Sequence, residues 1–324
     1  MTVRGMIGDL PVRVRAGLGV VAGIALLLAA AQVAAPWWPR PSTGSYAGPT
    51  HVVWALGQLG VVLLALAEWV RHREGLRWRA GLDLPEGQDR VLWDVHVGQM
   101  RRREGSTAVL LAAWGLVGLS AGLFASRSGV PLVWGYVAAG ALVPALFAHA
   151  VLTFPDGRPA GRWHRLFLTA AYGSALLYLG YALTAEAGWI APCGPGKCPA
   201  NPLLLGSSLG WSWFTWWAQK VVAIGLVVWL GALLLNRLRT DPDWRRQALI
   251  RVLAAAAVPA VVFAWRLLLD AAYPAGDPMW TALRWSEVVA DLAVPAAMLI
   301  GLRVSAATSV GTAESTTSVE EAAV

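Results

Sequence analysis

Three carboxylates stand where charge is costly. Asp270, Glu287 and Asp291 fall inside long apolar runs, with Arg266 one helical turn before Asp270 and Lys220 in an earlier run. A charge in hydrocarbon costs about 2.5–3.5 kcal/mol on insertion scales, so such groups pair, line a cavity or carry out a reaction. Arg266 and Asp270 are spaced i, i+4 and can pair; Glu287 and Asp291 share that spacing but repel. Two cations against three acids leave one acid with no opposite charge. An acid that keeps its proton in such a place is a general acid for an apolar substrate. The plainer alternative is an ion-pair network tying three helices together.

Aromatic residues supply the second signal. The chain holds 19 Trp, and Trp213, Trp217 and Lys220 recur at i, i+4 and i+7 on one helical face, with Trp285 at the same membrane side. Such walls suit an apolar ligand or a carbocation; an aromatic belt at the lipid headgroups looks the same. Cys193 and Cys198, within Cys-Gly-Pro-Gly-Lys-Cys, lie in a connection placed outside the cytoplasm, where a disulfide is the natural pairing. They bring too few ligands for a metal. Gly206-Ser207-Ser208-Leu209-Gly210 matches the nucleophile pattern G-x-S-x-G, with His51 at the same membrane side. That pattern has catalytic meaning on a strand–turn–helix elbow, and here small residues entering a helix account for it. No P-loop, His-rich metal pattern, Asp-rich diphosphate motif or Gly-rich dinucleotide turn is present, so no cofactor is expected.

The elements that position these residues are transmembrane. The composition is 57% hydrophobic and 14% charged, against about 25% charged in soluble domains. A spanning helix needs roughly 20 apolar residues, and eight windows qualify: 16–35, 51–70, 107–126, 130–153, 165–185, 209–235, 248–270 and 284–302. Placing the N-terminus inside puts 20 of the 26 Lys and Arg on inner segments, 4 on outer ones and 2 within spans. The inner set is kept up at every alternate connection, from Arg71 to Arg103 and from Arg237 to Arg251. Cations resist translocation, so this asymmetry fixes orientation. The expectation is an all-α integral membrane protein of about eight helices with both termini cytoplasmic. A tail at 1–15, a membrane domain at 16–303 and a disordered tail at 304–324 complete it. The first 35 residues also fit a secretory signal, whose cleavage would leave seven spans.

Two connections are longer than the rest. The inner one, 71–105, holds an amphipathic stretch with Asp89 and Asp94 early and Arg101 to Arg103 late, suited to anionic headgroups or a partner protein. The outer one, 186–208, carries the cysteines. Glu68 and His149 fall near inner helix ends, where they can reach the interface. The net charge of +7 belongs to these connections, which form no basic stripe, so nucleic acid is not an expected partner. Arg and Ala richness points to a high-GC bacterium and its cell membrane.

Phe154-Pro155-Asp156-Gly157-Arg158 is followed by Arg162 and Trp163, and the outer Cys pair by Asn201-Pro202-Leu203-Leu204-Leu205; an Asp-Pro-x-x-Arg-Arg entry, Asp241 to Arg246, comes next. On these motifs residues 140–303 resemble the membrane region of actinobacterial sensor histidine kinases. The resemblance implies a sensory or regulatory module. Such kinases continue into a phosphoacceptor-His helix and an ATP-binding domain, whereas here about 21 residues follow Arg303 and the last His is His164. The first functional expectation is therefore a module that binds an apolar ligand and signals through a separate cytoplasmic protein. The second is an enzyme similar to integral-membrane terpene cyclases, in which Asp270, Glu287 or Asp291 protonates a prenylated substrate. A transporter is third, without the repeats that usually mark one.

Overall fold

The computed structural model describes residues 12–34, 49–80, 106–122, 130–154, 159, 161–185, 209–241 and 292–301, with parts of 201–206, 246–255 and 282–289. These residues are helical wherever they are regular, and no strand occurs among them. The reason is elementary: in hydrocarbon every backbone N–H and C=O must find a partner within the protein, and a long apolar helix supplies them all from its own segment. Five helices are long and apolar enough to cross a membrane: Val14–Val33, Val52–Arg71, Val130–Thr153, Arg162–Thr184 and Leu209–Thr240. They coincide with five of the eight expected windows. The third window forms a shorter apolar helix, Ser106–Gly122, and the eighth is represented by Leu292–Gly301.

The chain divides into two units, Met1–Asn236 and Arg237–Val324. In the first, α1 (Val12–Ala34), α2 (Pro49–Ala80) and α3 (Ser106–Gly122) pack together. Ala25 and Ala29 of α1 meet Ala55 and Val62 of α2 and Leu119 of α3. Small residues let the helices approach, since burial from lipid offers no hydrophobic gain and close packing must supply the attraction. Gly118 and Gly122 of α3 form a Gly-x-x-x-Gly pair. A Cβ added at Gly122 would run into the Trp54 ring, and one at Gly115 would lie 2.6 Å from a Val62 methyl. Glycine is required at both.

The same unit continues with α4 (Val130–Val137), a π-helical segment (Ala138–Leu142) and α5 (Val143–Thr153) in one span. Pro144 explains the irregularity. It has no N–H to give to the carbonyl four residues back, and its ring crowds that carbonyl; a π turn, with one residue more, relieves both. The next span is also interrupted. It runs as α6 (Arg162–Gly173) and α7 (Ala175–Thr184), joined at Ser174, whose hydroxyl donates to the Ala171 carbonyl at 2.7 Å. A Gly-Ser pair with that back-bond bends a helix. Finally α8 (Leu209–Thr240) forms a continuous helix of 32 residues.

In the second unit, Arg237 closes the end of α8 by donating Nε and Nη2 to Asp241 Oδ2 at 3.0 and 2.9 Å. Leu249 and Val252 are buried, as are Val294 and Met298 of α9 (Leu292–Gly301).

Candidate functional site

The α8 helix is inverted relative to a helix in water. Its buried positions include Ser212, Thr215 and Gln219, each 3% exposed or less, while Leu209, Phe214, Val221, Ile224 and Val228 are all at least 60% exposed. A water-soluble helix turns its apolar stripe inward. Each large apolar side chain left in water forgoes about 1.5–3 kcal/mol, so the outward face of α8 is suited to lipid and its polar stripe to the bundle interior.

That polar stripe ends on a three-helix junction. Tyr136 of α4 donates its hydroxyl to Gln219 Oε1 at 2.9 Å, and Gln219 Nε2 donates to the Leu177 carbonyl of α7 at 3.1 Å. The Tyr136 ring lies 5.4 Å from that of Tyr178 and 5.6 Å from that of Tyr181, both tilted. Tyr178 in turn lies against Gly140 inside the π segment, where no Cβ would fit. Farther toward the other end of this span, His149 Nδ1 and the Tyr172 hydroxyl are 3.1 Å apart. Thus the polar and aromatic contacts between α4–α5 and α6–α7 bracket both helix irregularities, the π segment and the Ser174 bend.

The far end of α7 is tied down by Asn201. Its Nδ2 donates to the carbonyls of Ala182 and Ala185 at 2.6 and 2.9 Å, and Leu205 N donates to the Leu183 carbonyl at 2.9 Å. A helix end leaves its last carbonyls unsatisfied, and this side chain serves two of them. The Asn201 motif is therefore explained by capping. Ser212 Oγ adds a bond to the Thr184 carbonyl at 3.3 Å, holding α8 to α7.

A second polar spot lies among α1, α2 and α3. Gln32 Nε2 donates to the Leu119 carbonyl, while Gln32 Oε1, Gln58 Oε1 and Trp114 Nε1 are buried with no partner among the described residues. Glu68 is buried and paired with Arg71 one turn on.

Protein-family models, curated proteins and solved structures give no match to this chain.

The residues singled out in the sequence fall as follows. Trp213, Trp217 and Lys220 share a face, as their spacing requires, and that face is the outward one: the two indoles are 52% and 53% exposed and stack at 6.2 Å. Lys220 places its ammonium 5.4 Å from the Trp216 ring centroid. Trp285 is 39% exposed. Arg266, Asp270, Glu287, Asp291 and the Cys193–Cys198 pair lie outside the described residues, as do 81–105 and Ser207-Ser208. What weighing of charges in the spans missed was the amides. Gln32, Gln58 and Gln219 each interrupt an apolar window, and a long amide in hydrocarbon is itself a demand for a partner.

Proposed function

We propose that the chain is a multi-pass protein of a bacterial cell membrane, with about eight spans and both termini cytoplasmic. On this reading it is a sensory or regulatory module. It takes an apolar small molecule within the bundle and acts on a separate cytoplasmic signalling protein through the 71–105 connection. The observation that carries the reading is the Tyr136–Gln219–Leu177 junction, set between a π segment and a bent helix. A ligand shifts a conformational equilibrium only through contacts that differ between two states. Here three helices meet through two hydrogen bonds next to two irregular turns, so an apolar molecule wedged against Tyr136, Tyr178 and Tyr181 favours one arrangement over another.

A terpene cyclase-like enzyme is the competing reading, and it needs an interior acid. Among the described residues the buried carboxylate is Glu68, which is already paired. The test incubates membranes containing the protein with linear prenylated substrates, alongside a thermal-shift panel of apolar small molecules. A saturable rise in Tm with one compound, blunted by Gln219→Leu and leaving the compound chemically unchanged, supports the regulatory module. Isomers of unchanged mass that vanish in Asp270→Asn, Glu287→Gln or Asp291→Asn would replace it with the enzyme.

A further inference from the structure

The outward face of α8 carries one group that its apolar surroundings do not explain. Lys220 is exposed there beside Trp213, Trp216, Trp217, Val221 and Ile224. No carboxylate pairs with it among the described residues, and its recorded neighbour is the Trp216 ring. A lipid-facing ammonium must reach water or an anion.

The length of α8 says which level it reaches. Its 32 residues span about 48 Å at 1.5 Å each, more than the roughly 30 Å of hydrocarbon. The polar end is marked by Asn236, Arg237, Arg239 and Thr240, so the hydrocarbon begins near Leu235. Counting back about 20 residues brings its other boundary to Trp216. Trp211, Trp213, Trp216 and Trp217 then sit at the headgroup level, where indoles concentrate. Lys220 is rooted about 6 Å deeper, one helical turn, and a Lys stem is long enough to carry its ammonium back up to the interface. Its contact with the ring of Trp216, rooted one turn nearer the Leu209 end, fits that reach.

We propose that Lys220, with Trp213, Trp216 and Trp217, forms a binding site for the phosphate of an anionic phospholipid in the leaflet at the Leu209 end of α8. The Lys donates to the phosphate oxygens, and the indoles flank the glycerol and upper acyl chains. Charge favours this occupant over a second copy of the chain, because a two-fold contact between α8 faces would bring one Lys220 toward the other. The site is separate from the interior junction and stands or falls independently of the proposed function.

Native mass spectrometry of the full chain in mild detergent, titrated with phosphatidylglycerol or phosphatidylcholine, tests the site. A cation near a lipid surface contributes on the order of 1 kcal/mol toward anionic lipid, so Lys220→Gln weakens the first phosphatidylglycerol about fivefold. Lys220→Arg and Arg239→Gln, at the opposite end of the helix, keep wild-type affinity. Equal phosphatidylglycerol affinity in wild type and Lys220→Gln would overturn the proposal, as would an equal loss in Arg239→Gln or wild-type binding of phosphatidylcholine just as tight. A second measurement uses the unaltered protein, whose Lys residues are Lys197 and Lys220. Phosphatidylglycerol protects Lys220 but not Lys197 from an amine-acylating reagent, and phosphatidylcholine protects neither. Unprotected Lys220 in phosphatidylglycerol refutes the site.

Discussion

Tyr136 and Gln219 lie 83 residues apart in the chain and 2.9 Å apart in the bundle. Gln219 is 3% exposed and uses both ends of its amide, accepting from Tyr136 and donating to the Leu177 carbonyl. Neither helix alone satisfies that amide. In hydrocarbon the cost of an unsatisfied amide makes this contact a device for holding α4, α7 and α8 in one register.

Removing the Tyr136 hydroxyl leaves Gln219 Oε1 without its donor. Interhelical hydrogen bonds in membranes average about 0.6 kcal/mol and reach about 1.7. Tyr136→Phe is expected to destabilise by an amount in that range in a reversible detergent-unfolding assay, and Gln219→Leu by more, since it also frees the Leu177 contact. The double variant loses less than the sum of the two; strict additivity would show that the contact carries no coupling.

Pro144 holds the π segment in place, and Pro144→Ala restores a donor to that turn. The expected result is annealing to α-helix, which turns Tyr136 by about 100° relative to α5. That rotation carries the Tyr136 hydroxyl away from Gln219, so the coupling between Tyr136→Phe and Gln219→Leu in the unfolding assay falls toward zero after Pro144→Ala. An unchanged coupling would mean that proline does not set the segment.

Gly122 has no room for a side chain because the Trp54 ring occupies it. Gly122→Val is expected to destabilise by about 1–3 kcal/mol, the usual cost of overpacking, measured as lost monodisperse protein on heating. Trp54→Leu in the same chain recovers part of that loss, since the smaller side chain vacates the space.

Asn201 caps α7 from the connection that follows it. Asn201→Ala frees the carbonyls of Ala182 and Ala185 and is expected to cost about 1 kcal/mol, seen as faster amide exchange at the end of α7 with α4 unaffected. Uniform loosening of the whole unit would contradict a local cap.

The Cys193–Cys198 connection is expected outside the cytoplasm and oxidised. In intact cells a membrane-impermeant maleimide labels the two thiols only after reduction. Labelling without reductant would refute the disulfide, and no labelling after reduction would refute the sidedness.

The sequence by itself determined the class of fold and the approximate places of five spanning helices, though α2 runs on to Ala80, ten residues past its expected window and into the stretch read as a connection. Apolar length is a local property, and a backbone in lipid has one local solution, so the windows near 16, 51, 130, 165 and 209 became helices where the counts placed them. The Asn201 motif was visible too, though its role as a cap appears only beside the end of α7. What the sequence left open was which way each face points. Periodicity put Trp213, Trp217 and Lys220 together on α8, but the same period serves a face lining a pocket and a face turned to lipid. The packing of Ser212, Thr215 and Gln219 against neighbouring helices decided that the Trp face is outward. The contact of Tyr136 with Gln219 was likewise beyond local reading, because amide satisfaction is a property of two helices far apart in the chain. Hydrophobicity is summed along a segment; hydrogen-bond partners are chosen between segments, and that choice belongs to the tertiary structure.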